Sequence, residues 1–323
     1  MRYFITGGLG AIGSTIVRYF VEKGDEVTVF DINHKSTHLV KDILDKIKIV
    51  KGDISNLPNL ITAIKSEKPN YVIHMAGVLD VLGKEHPIKN IKTNIIGTMN
   101  VFETCRLLNL KRVIYCSSRG VFLPKLQGKT PEFINEDFLT LPQKSGKLYD
   151  ISKLYEEYLA DTYNKKYGME CVGLRFSVTF GPGKKLEKQG YFAIISTMIE
   201  NAINNIPTII PRGGEQCNDY VYYKDIAQAI ELTCKKRKLK HFIFNIGSGT
   251  ILSLFDIANA IRIYFPQVKI KIGKGIDFLN TGGYGYIAFN INRAKKELGY
   301  KPRFSITKAI EDYIKILTKS GNK

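Results

Sequence analysis

Hydrophobic and polar positions switch between two periods along this chain, and the switching sets the predicted architecture. Tyr3, Phe4 and Ile5 form a short apolar run, followed by a glycine-rich turn from Thr6 to Gly13. From Ser14 to Lys23 the period is 3.6 residues, with Ile12, Ile16 and Phe20 on one face and Gly24 as a stop, which predicts a helix. Further apolar runs at Glu26 to Phe30, Lys46 to Val50, Tyr71 to Gly77, Arg112 to Ser118 and Cys171 to Phe176 predict strands. Helical patterns separate them: Leu57 to Ser66, ended by Pro69, then Pro87 to Leu108, then Tyr149 to Tyr167. Several strands are apolar without alternation, as when helices cover both faces of a sheet. Strand and helix in turn predict an α/β fold on a doubly wound parallel (Rossmann) sheet, with ligands at the C-terminal ends of the strands.

The second half is punctuated less regularly. Gly120 to Gly146 is polar, carries Pro124, Pro131 and Pro142, and reads as a loop over the site. A helix is predicted near Phe192 to Asn204 and another at Lys224 to Lys236, after which His241 to Gly247 returns to the main sheet. Helices at Leu254 to Tyr264 and Ile306 to Leu317 flank a strand at Lys269 to Ile272. The expected division is a nucleotide-binding domain over 1–176, regaining 224–250, with a smaller, interleaved C-terminal α/β substrate lobe in most of 177–323.

Composition narrows this picture. A chain of 323 residues with 44% hydrophobic and 24% charged content can bury a large core. No apolar stretch reaches the roughly 18 residues of a membrane span. Glycines break the apolar run after Arg2, so a signal peptide is not expected and a cytoplasmic protein is. Five scattered cysteines without C-x-x-C spacing give neither a disulfide framework nor a zinc site, and no metal is expected. The net charge of +18 concentrates anions, sugar nucleotides and nucleic acid among them. The densest basic run, Lys235 to Lys240, follows a helix end that favours cations and lacks interleaved aromatics, so no nucleic-acid partner is expected.

Two stretches carry chemistry. The turn spaces glycines at Gly7 or Gly8, Gly10 and Gly13 between a strand and a helix N-terminus, where free N–H groups can receive a phosphate. Asp31 lies 18 residues after Gly13 at the end of the second strand, where a dinucleotide fold places a carboxylate for the ribose hydroxyls. An Asp suits NAD and repels the extra phosphate of NADP, although Lys35 lies nearby. The second stretch is YDISK, with Tyr149 and Lys153 four residues apart on one helix face. Lowering a phenol from about 10 to about 7 takes about 4 kcal/mol. One ammonium about 5 Å away supplies about 3 kcal/mol at an effective dielectric near 20. Tyr149 is therefore a candidate general base, and Ser118, at a strand end, could hold the same oxygen.

With these motifs in place, the sequence resembles the extended short-chain dehydrogenases/reductases, and within them the NAD-dependent epimerase/dehydratase group. TGGLGAIG is similar to its cofactor turn, GDI (52–54) to its adenine contact, HMAG (74–77) to its phosphate-side strand end and NIIGT (94–98) to its central helix. SSRGVF (117–122) resembles its catalytic-serine segment and YDISK its catalytic pair. RFSVTFGPG, NDYVYYKD, FNIGSG and ELGYKP are similar to later signposts. The resemblance implies that Ser118, Tyr149 and Lys153 are catalytic. It assigns Gly7, Gly10, Ala11, Ile12 and Gly13 to NAD binding, with Asp31, Asn33, Asp53 and Ile54, and then Met75, Ala76 and Gly77. Asn94 would support that site or only brace helix backbone, Phe176 would lie beside the nicotinamide, and Lys153 would also bond its ribose. His74 reads as a satisfied strand residue.

The resemblance implies a sugar-nucleotide 4-epimerase with transient hydride transfer and Tyr149 as base, acting as a homodimer through the helices at 87–108 and 149–167. Three departures qualify it. Water-eliminating members carry Thr-Asp-Glu where this chain has Ser118-Arg119-Gly120. The diphosphate arginine expected before Asp219 is Asn218. A second expected arginine is missing from 280–290; of the substitutes, Arg212, Lys184 and Lys185, none has the right position by spacing, and Arg293 falls after the stretch. They leave room for a net NAD(P)-dependent dehydrogenase acting on a smaller alcohol, and for a non-catalytic dinucleotide-binding regulator.

Overall fold

The computed structural model describes residues 1–79, 87–125, 133–138, 148–183, 193–276 and 288–321. The first half alternates as its periodicity predicts: β1 (Arg2–Thr6), α1 (Ala11–Glu22), β2 (Glu26–Asp31), β3 (Ile47–Lys51), α2 (Leu57–Glu67) and β4 (Tyr71–His74). A long helix, α3, follows in three consecutive segments, Pro87–Asn90, Ile91–Gly97 and Thr98–Leu107. The middle segment is wound wider, as a π-helix. Then come β5 (Arg112–Ser118), α4 (Leu148–Tyr167) and β6 (Glu170–Phe176).

Seven parallel strands form one sheet in the order β11-β6-β5-β4-β1-β2-β3, where β11 is Ile243–Ile246. The returning strand predicted at 241–247 is this edge strand. The chain winds outward from β1 to β3, then crosses back to β4 on the other side of β1. That reversal opens a crevice between the ends of β1 and β4.

The unbroken apolar strands are explained by two cores, one on each face. Tyr3 and Ile5 of β1 join a cluster with Ile16, Val17 and Phe20 of α1, while Phe4 between them joins Leu60, Ile64, Val101 and Phe102 on the other face. β5 divides in the same way, with Ile114 on the first face and Val113 and Tyr115 on the second. Each fully buried side chain of this size is worth about 1.5–3 kcal/mol. One consequence is that a one-residue slip of register would exchange the two cores.

Beyond β6 lie four short strands, β7 (Val178–Phe180), β8 (Thr208–Ile210), β9 (Cys217–Asn218) and β10 (Tyr220–Tyr222), with α5 (Ile194–Ile203) between β7 and β8. Helix α6 (Tyr223–Lys235) then packs on the main sheet beside α1. A third core joins Val178, Met198, Ile210 and Tyr222 to Ile257 and Ile261 of α7 (Leu254–Tyr264) and to Ile310 and Tyr313 of α8 (Ile306–Gly321). The segment 223–246 belongs to the first core and its flanks to the third. The cation that reaches the carbonyls at the end of α6 comes from β5, not from the basic run that begins there. Arg112 Nη1 donates to the carbonyls of Thr233, Cys234 and Lys236, and its Nε to Glu170.

Candidate active site

The glycine turn is shaped by contacts that exclude side chains. Gly7 has φ +68°, and a Cβ there would stand 2.6 Å from the backbone nitrogen of Ala76 at the end of β4. A Cβ on Gly13 would stand 2.2 Å from the carbonyl oxygen of Gly7. The turn therefore lies flat against both neighbours. Helix α1 begins at Ala11, earlier than its apolar period suggests, and its N-cap, Gly10, offers no side-chain oxygen to the first N–H groups. An uncapped helix start without acidic residues in its first turn is left for an anion.

A cleft of about 910 Å³ opens over this turn. Gly7, Gly10 and Ala11 line one wall, Asp31, Asn33, Asp53 and Ile54 the next, and Met75, Ala76 and Gly77 the third. The carboxylate of Asp31 is oriented by two backbone donors, Leu9 at 3.1 Å and Asn33 at 2.9 Å. Ile12 and Gly13 do not line the cleft; they pack the turn from behind. The cradle, the uncapped helix start and the oriented carboxylate fit a dinucleotide.

The predicted catalytic group lies beyond Gly77, where an added Cβ would come 3.9 Å from Lys153 Nζ. Lys153 Nζ sits 5.7 Å from the centre of the Tyr149 ring. A hydrogen bond to the Ser118 hydroxyl favours the Tyr149 phenolate, and Ser118 Oγ also accepts the Gly120 N–H at 3.0 Å. Beneath them, Ser117 donates to Glu157 at 2.5 Å, and Glu157 pairs with both ends of the Arg175 guanidinium, at 2.8 and 2.7 Å. This buried cluster fixes the end of β5 to α4, and with it Ser118 to Tyr149. Phe176 pairs with Ser118 across β5 and β6 and is buried in the first core, not on the cleft wall.

The ionisation of Tyr149 departs from the sequence-based expectation. Burial pushes its phenol well above its ordinary value, against the opposing pull of Lys153 and the Ser118 hydrogen bond. Burial is the largest cause, and a smaller opposition to the phenolate comes from a residue that spacing does not single out. Glu156, fully buried, meets Lys153 Nζ at 3.0 and 2.9 Å, and Nζ also donates to the Cys116 carbonyl at 2.9 Å. Burial opposes the Lys153 ammonium, but Glu156 and Tyr149 outweigh it and hold the amine charged. Burial in turn raises Glu156 above the usual carboxylate range, against the pull of Lys153. The Glu156 carboxylate offsets part of the field of that ammonium at the phenol, adding to the larger effect of burial.

The network continues inward. Thr98 hydrogen-bonds Glu156 and lies 2.9 Å from His74 Nε2, while His74 Nδ1 lies 2.7 Å from Thr6 Oγ1. Donation from Thr98 to the carboxylate places the imidazole proton on Nε2, with Nδ1 accepting from Thr6. His74 is thus satisfied on both sides; burial, then the charge of Lys153, holds it neutral with a pKa of about 3. Asn94, in the π-wound segment of α3, accepts from the Val78 N–H at 2.8 Å and donates to the Val78 carbonyl and to Ser152 Oγ. It braces the chain after β4 against α4.

Two of the departures meet in one hydrogen bond. Arg119 Nη1 donates to Asn218 Oδ1 at 2.7 Å, both residues being buried. At Gly120 an added Cβ would fall 2.0 Å from Asp150 Oδ1, so glycine there makes room for the Asp150 carboxyl. Asp219 ties loops together: it accepts from the backbone N–H groups of Ser248, Gly249 and Phe289 and from the Ser248 hydroxyl. Arg212 donates to the Ile276 carbonyl and Arg293 pairs with Asp137; Lys184 and Lys185 lie outside the described residues. Among the described residues no cluster of His, Cys, Asp or Glu could hold a metal ion, and no helix is long and apolar enough to cross a membrane.

Comparison with known proteins agrees with this geometry. The model of the NAD dependent epimerase/dehydratase family matches residues 3–247. The UDP-glucose 4-epimerase of Mycoplasma genitalium is 27% identical, over 97% of this chain and 94% of its own. UDP-glucuronate 4-epimerase 4 of Arabidopsis thaliana is 26% identical, over 96% of this chain and 74% of its own. In fold, the chain is similar to the crystal structure of a UDP-glucose 4-epimerase from Thermotoga maritima with UDP-glucose, with a TM-score of 0.85, 23% identity and 99% of each chain covered. A dinucleotide cleft at the switch of strand order, with Tyr149 and Lys153 at its end, and a family match across most of its length make this chain an enzyme that belongs to the NAD dependent epimerase/dehydratase family.

Proposed function

We propose that this enzyme is a nucleotide-sugar 4-epimerase using NAD, with Tyr149 as its base. The observation that carries this reading is the placement of Tyr149 and Lys153 immediately past Gly77, where the cleft wall ends. Bound NAD would supply the two-electron acceptor and a positive ring. The turn from Gly7 to Gly13 and the start of α1 would receive its diphosphate, and Asp31 its ribose hydroxyls. The fixed Asp31 carboxylate favours NAD over NADP, and Lys35, exposed and outside the cleft lining, does not offset it. Tyr149 would take the proton of a sugar hydroxyl held by Ser118 while the hydride of the same carbon passes to the bound NAD. It would give the proton back to that oxygen once the keto sugar has turned over and regained the hydride on its other face. Lys153 would orient the phenol and the cofactor ribose. Residues 1–176 with 224–250 act as the cofactor domain, and most of 177–323 as the substrate lobe.

The same helices favour a homodimer. Ile88, Ile91 and Met99 of α3 and Ile151, Tyr155 and Tyr158 of α4 are exposed on neighbouring helices, an apolar surface that a second copy would cover. Light scattering that finds a monomer at micromolar concentration refutes this part.

The test is turnover without added NAD on UDP-glucose/UDP-galactose and UDP-glucuronate/UDP-galacturonate. Wild type should interconvert one pair, and Tyr149→Phe should lose about 10²–10⁴ of that rate while still retaining bound cofactor. No turnover of either pair would refute the reading. A second reading, net dehydrogenation of a smaller alcohol, is favoured by Asn218 in place of an arginine. Stoichiometric formation of reduced nicotinamide would support it.

A further inference from the structure

Three arginines of the described chain are buried, Arg112, Arg119 and Arg175. Two are saturated. Arg112 bonds Glu170 and three carbonyls at the end of α6. Arg175 takes Glu157 with two nitrogens and the Glu136 carbonyl with a third. Arg119 is different. Its partner is a neutral amide oxygen, that of Asn218, and no carboxylate of the described residues lies within ion-pair distance of it. A guanidinium offers five donors and does not give up its proton, so it cannot escape the cost of burial by neutralising itself. A buried charge without a counter-ion is strongly unfavourable.

Its position narrows what would complete its partners beyond the described residues. Arg119 directly follows Ser118, so the two Cα atoms lie about 3.8 Å apart at the C-terminal end of β5. Asn218, from β9, holds its Nη1 on the substrate-lobe side. Asp150, the nearby carboxyl against Gly120, is not its partner. The chain at Arg119 thus joins the proposed catalytic hydroxyl, one residue before it, to Asn218 of the lobe that would hold the substrate, which its guanidinium reaches.

We infer that Arg119 is the anion-recognition residue for the substrate, supplying the counter-charge to an oxyanion of the nucleotide sugar, either a diphosphate oxygen or a carboxylate on the sugar. The assignment rests on the nucleotide-sugar reading above and deepens it. An incoming oxyanion completes the fork of donors that Asn218 leaves open, and Asn218, a neutral residue, orients the guanidinium without consuming its charge. A carboxylate or aspartate at position 218 would have closed the site to anions.

Calorimetric titration of the NAD-loaded enzyme with UDP, UDP-glucose and UDP-glucuronate tests this with Arg119→Gln and Arg119→Lys, folding being checked by thermal melting and retained cofactor. Arg119→Gln should weaken anion binding by about 10- to 100-fold, as expected for charge-assisted hydrogen bonds, with partial recovery in Arg119→Lys. Loss for all three ligands identifies the diphosphate, and loss confined to UDP-glucuronate identifies the sugar carboxylate; both support the assignment. Folded variants that bind all three within about twofold of wild type overturn it, leaving the nucleotide-sugar reading intact. Variants that fail to retain cofactor or melt early, while their folded fraction binds as wild type, overturn it also. A wild-type enzyme that binds none of the three overturns both.

Discussion

Replacing Glu156 by glutamine asks whether the net charge around Lys153 sets the ionisation of Tyr149. The ammonium is 5.7 Å from the ring centre, worth about 3 kcal/mol toward the phenolate at an effective dielectric near 20. Glu156 lies 2.9 and 3.0 Å from that ammonium, so its carboxylate is no more than about 9 Å from the ring and opposes the phenolate by about 2 kcal/mol. The pair thus contributes only about 1 kcal/mol, too little to offset burial of the phenol. Glutamine keeps the shape and one acceptor for Nζ while removing the negative charge. The prediction is that the apparent pKa of Tyr149 falls by about 1.5 pH units in the variant. The sign follows from the charges: without the carboxylate the ammonium acts alone, and the phenolate is favoured.

The readout is the acid limb of the pH–rate profile of epimerisation, checked by ultraviolet titration of tyrosinate with the Glu156→Gln/Tyr149→Phe protein as blank. A limb that stays within about 0.3 pH unit of wild type refutes the electrostatic reasoning. A limb that moves to higher pH also refutes it, because it means Lys153 without its carboxylate has shed the proton that orients Tyr149.

Two further substitutions test the frame around that pair. His74 has its pKa lowered from 6.5 to about 3 by burial, so the stability it contributes is present above 6.5 and lost as pH falls toward 3, at up to about 1.4 kcal/mol per pH unit. In His74→Gln, whose amide can replace both hydrogen bonds, the melting temperature should decline less than wild type between those pH values; parallel melting curves would contradict this. At Gly13 helix propensity and sterics disagree. Alanine is favoured over glycine in a helix by about 1 kcal/mol, yet its Cβ would meet the Gly7 carbonyl oxygen at 2.2 Å, an overpacking that costs about 1–3 kcal/mol. Gly13→Ala should therefore melt lower and bind NAD more weakly in calorimetry; a higher melting temperature with unchanged affinity would show that the turn has room.

Most of the sheet is legible in the sequence because its strands are buried on both faces. A run such as Tyr3-Phe4-Ile5 has to feed two cores at once, and no other common arrangement calls for it. The end of β4 is legible only in part. Tyr71 to Gly77 reads as one strand, but the strand stops at His74 and Met75 to Gly77 line the cleft beyond it. Part of the cleft lining is legible from spacing, since Gly7, Asp31 and Asp53 fall at or just past strand ends and Gly10 at the start of α1. The C-terminal half gives its helices but not its third core, because short strands such as Thr208–Ile210 and Ile270–Ile272 pair across about sixty residues, and no local period records that.

Charge partners are the part that spacing cannot give. Glu156 follows Lys153 by three residues on α4 and looks like half of a solvated helix pair. It is instead buried, because that face of α4 packs against the end of β5 and the middle of α3. The same sequence relation, an acid and a base one turn apart, is a surface pair at Lys165 and Asp161 and a control element at Lys153 and Glu156. The consequence reaches the chemistry. In the free enzyme Lys153 is committed to Glu156 and the phenol stays protonated, so the charge that favours the phenolate has to arrive with the ligands. Ultraviolet titration of tyrosinate should accordingly give a higher Tyr149 pKa in the cofactor-free protein than in the NAD-loaded one. The removal of Glu156 should lower both.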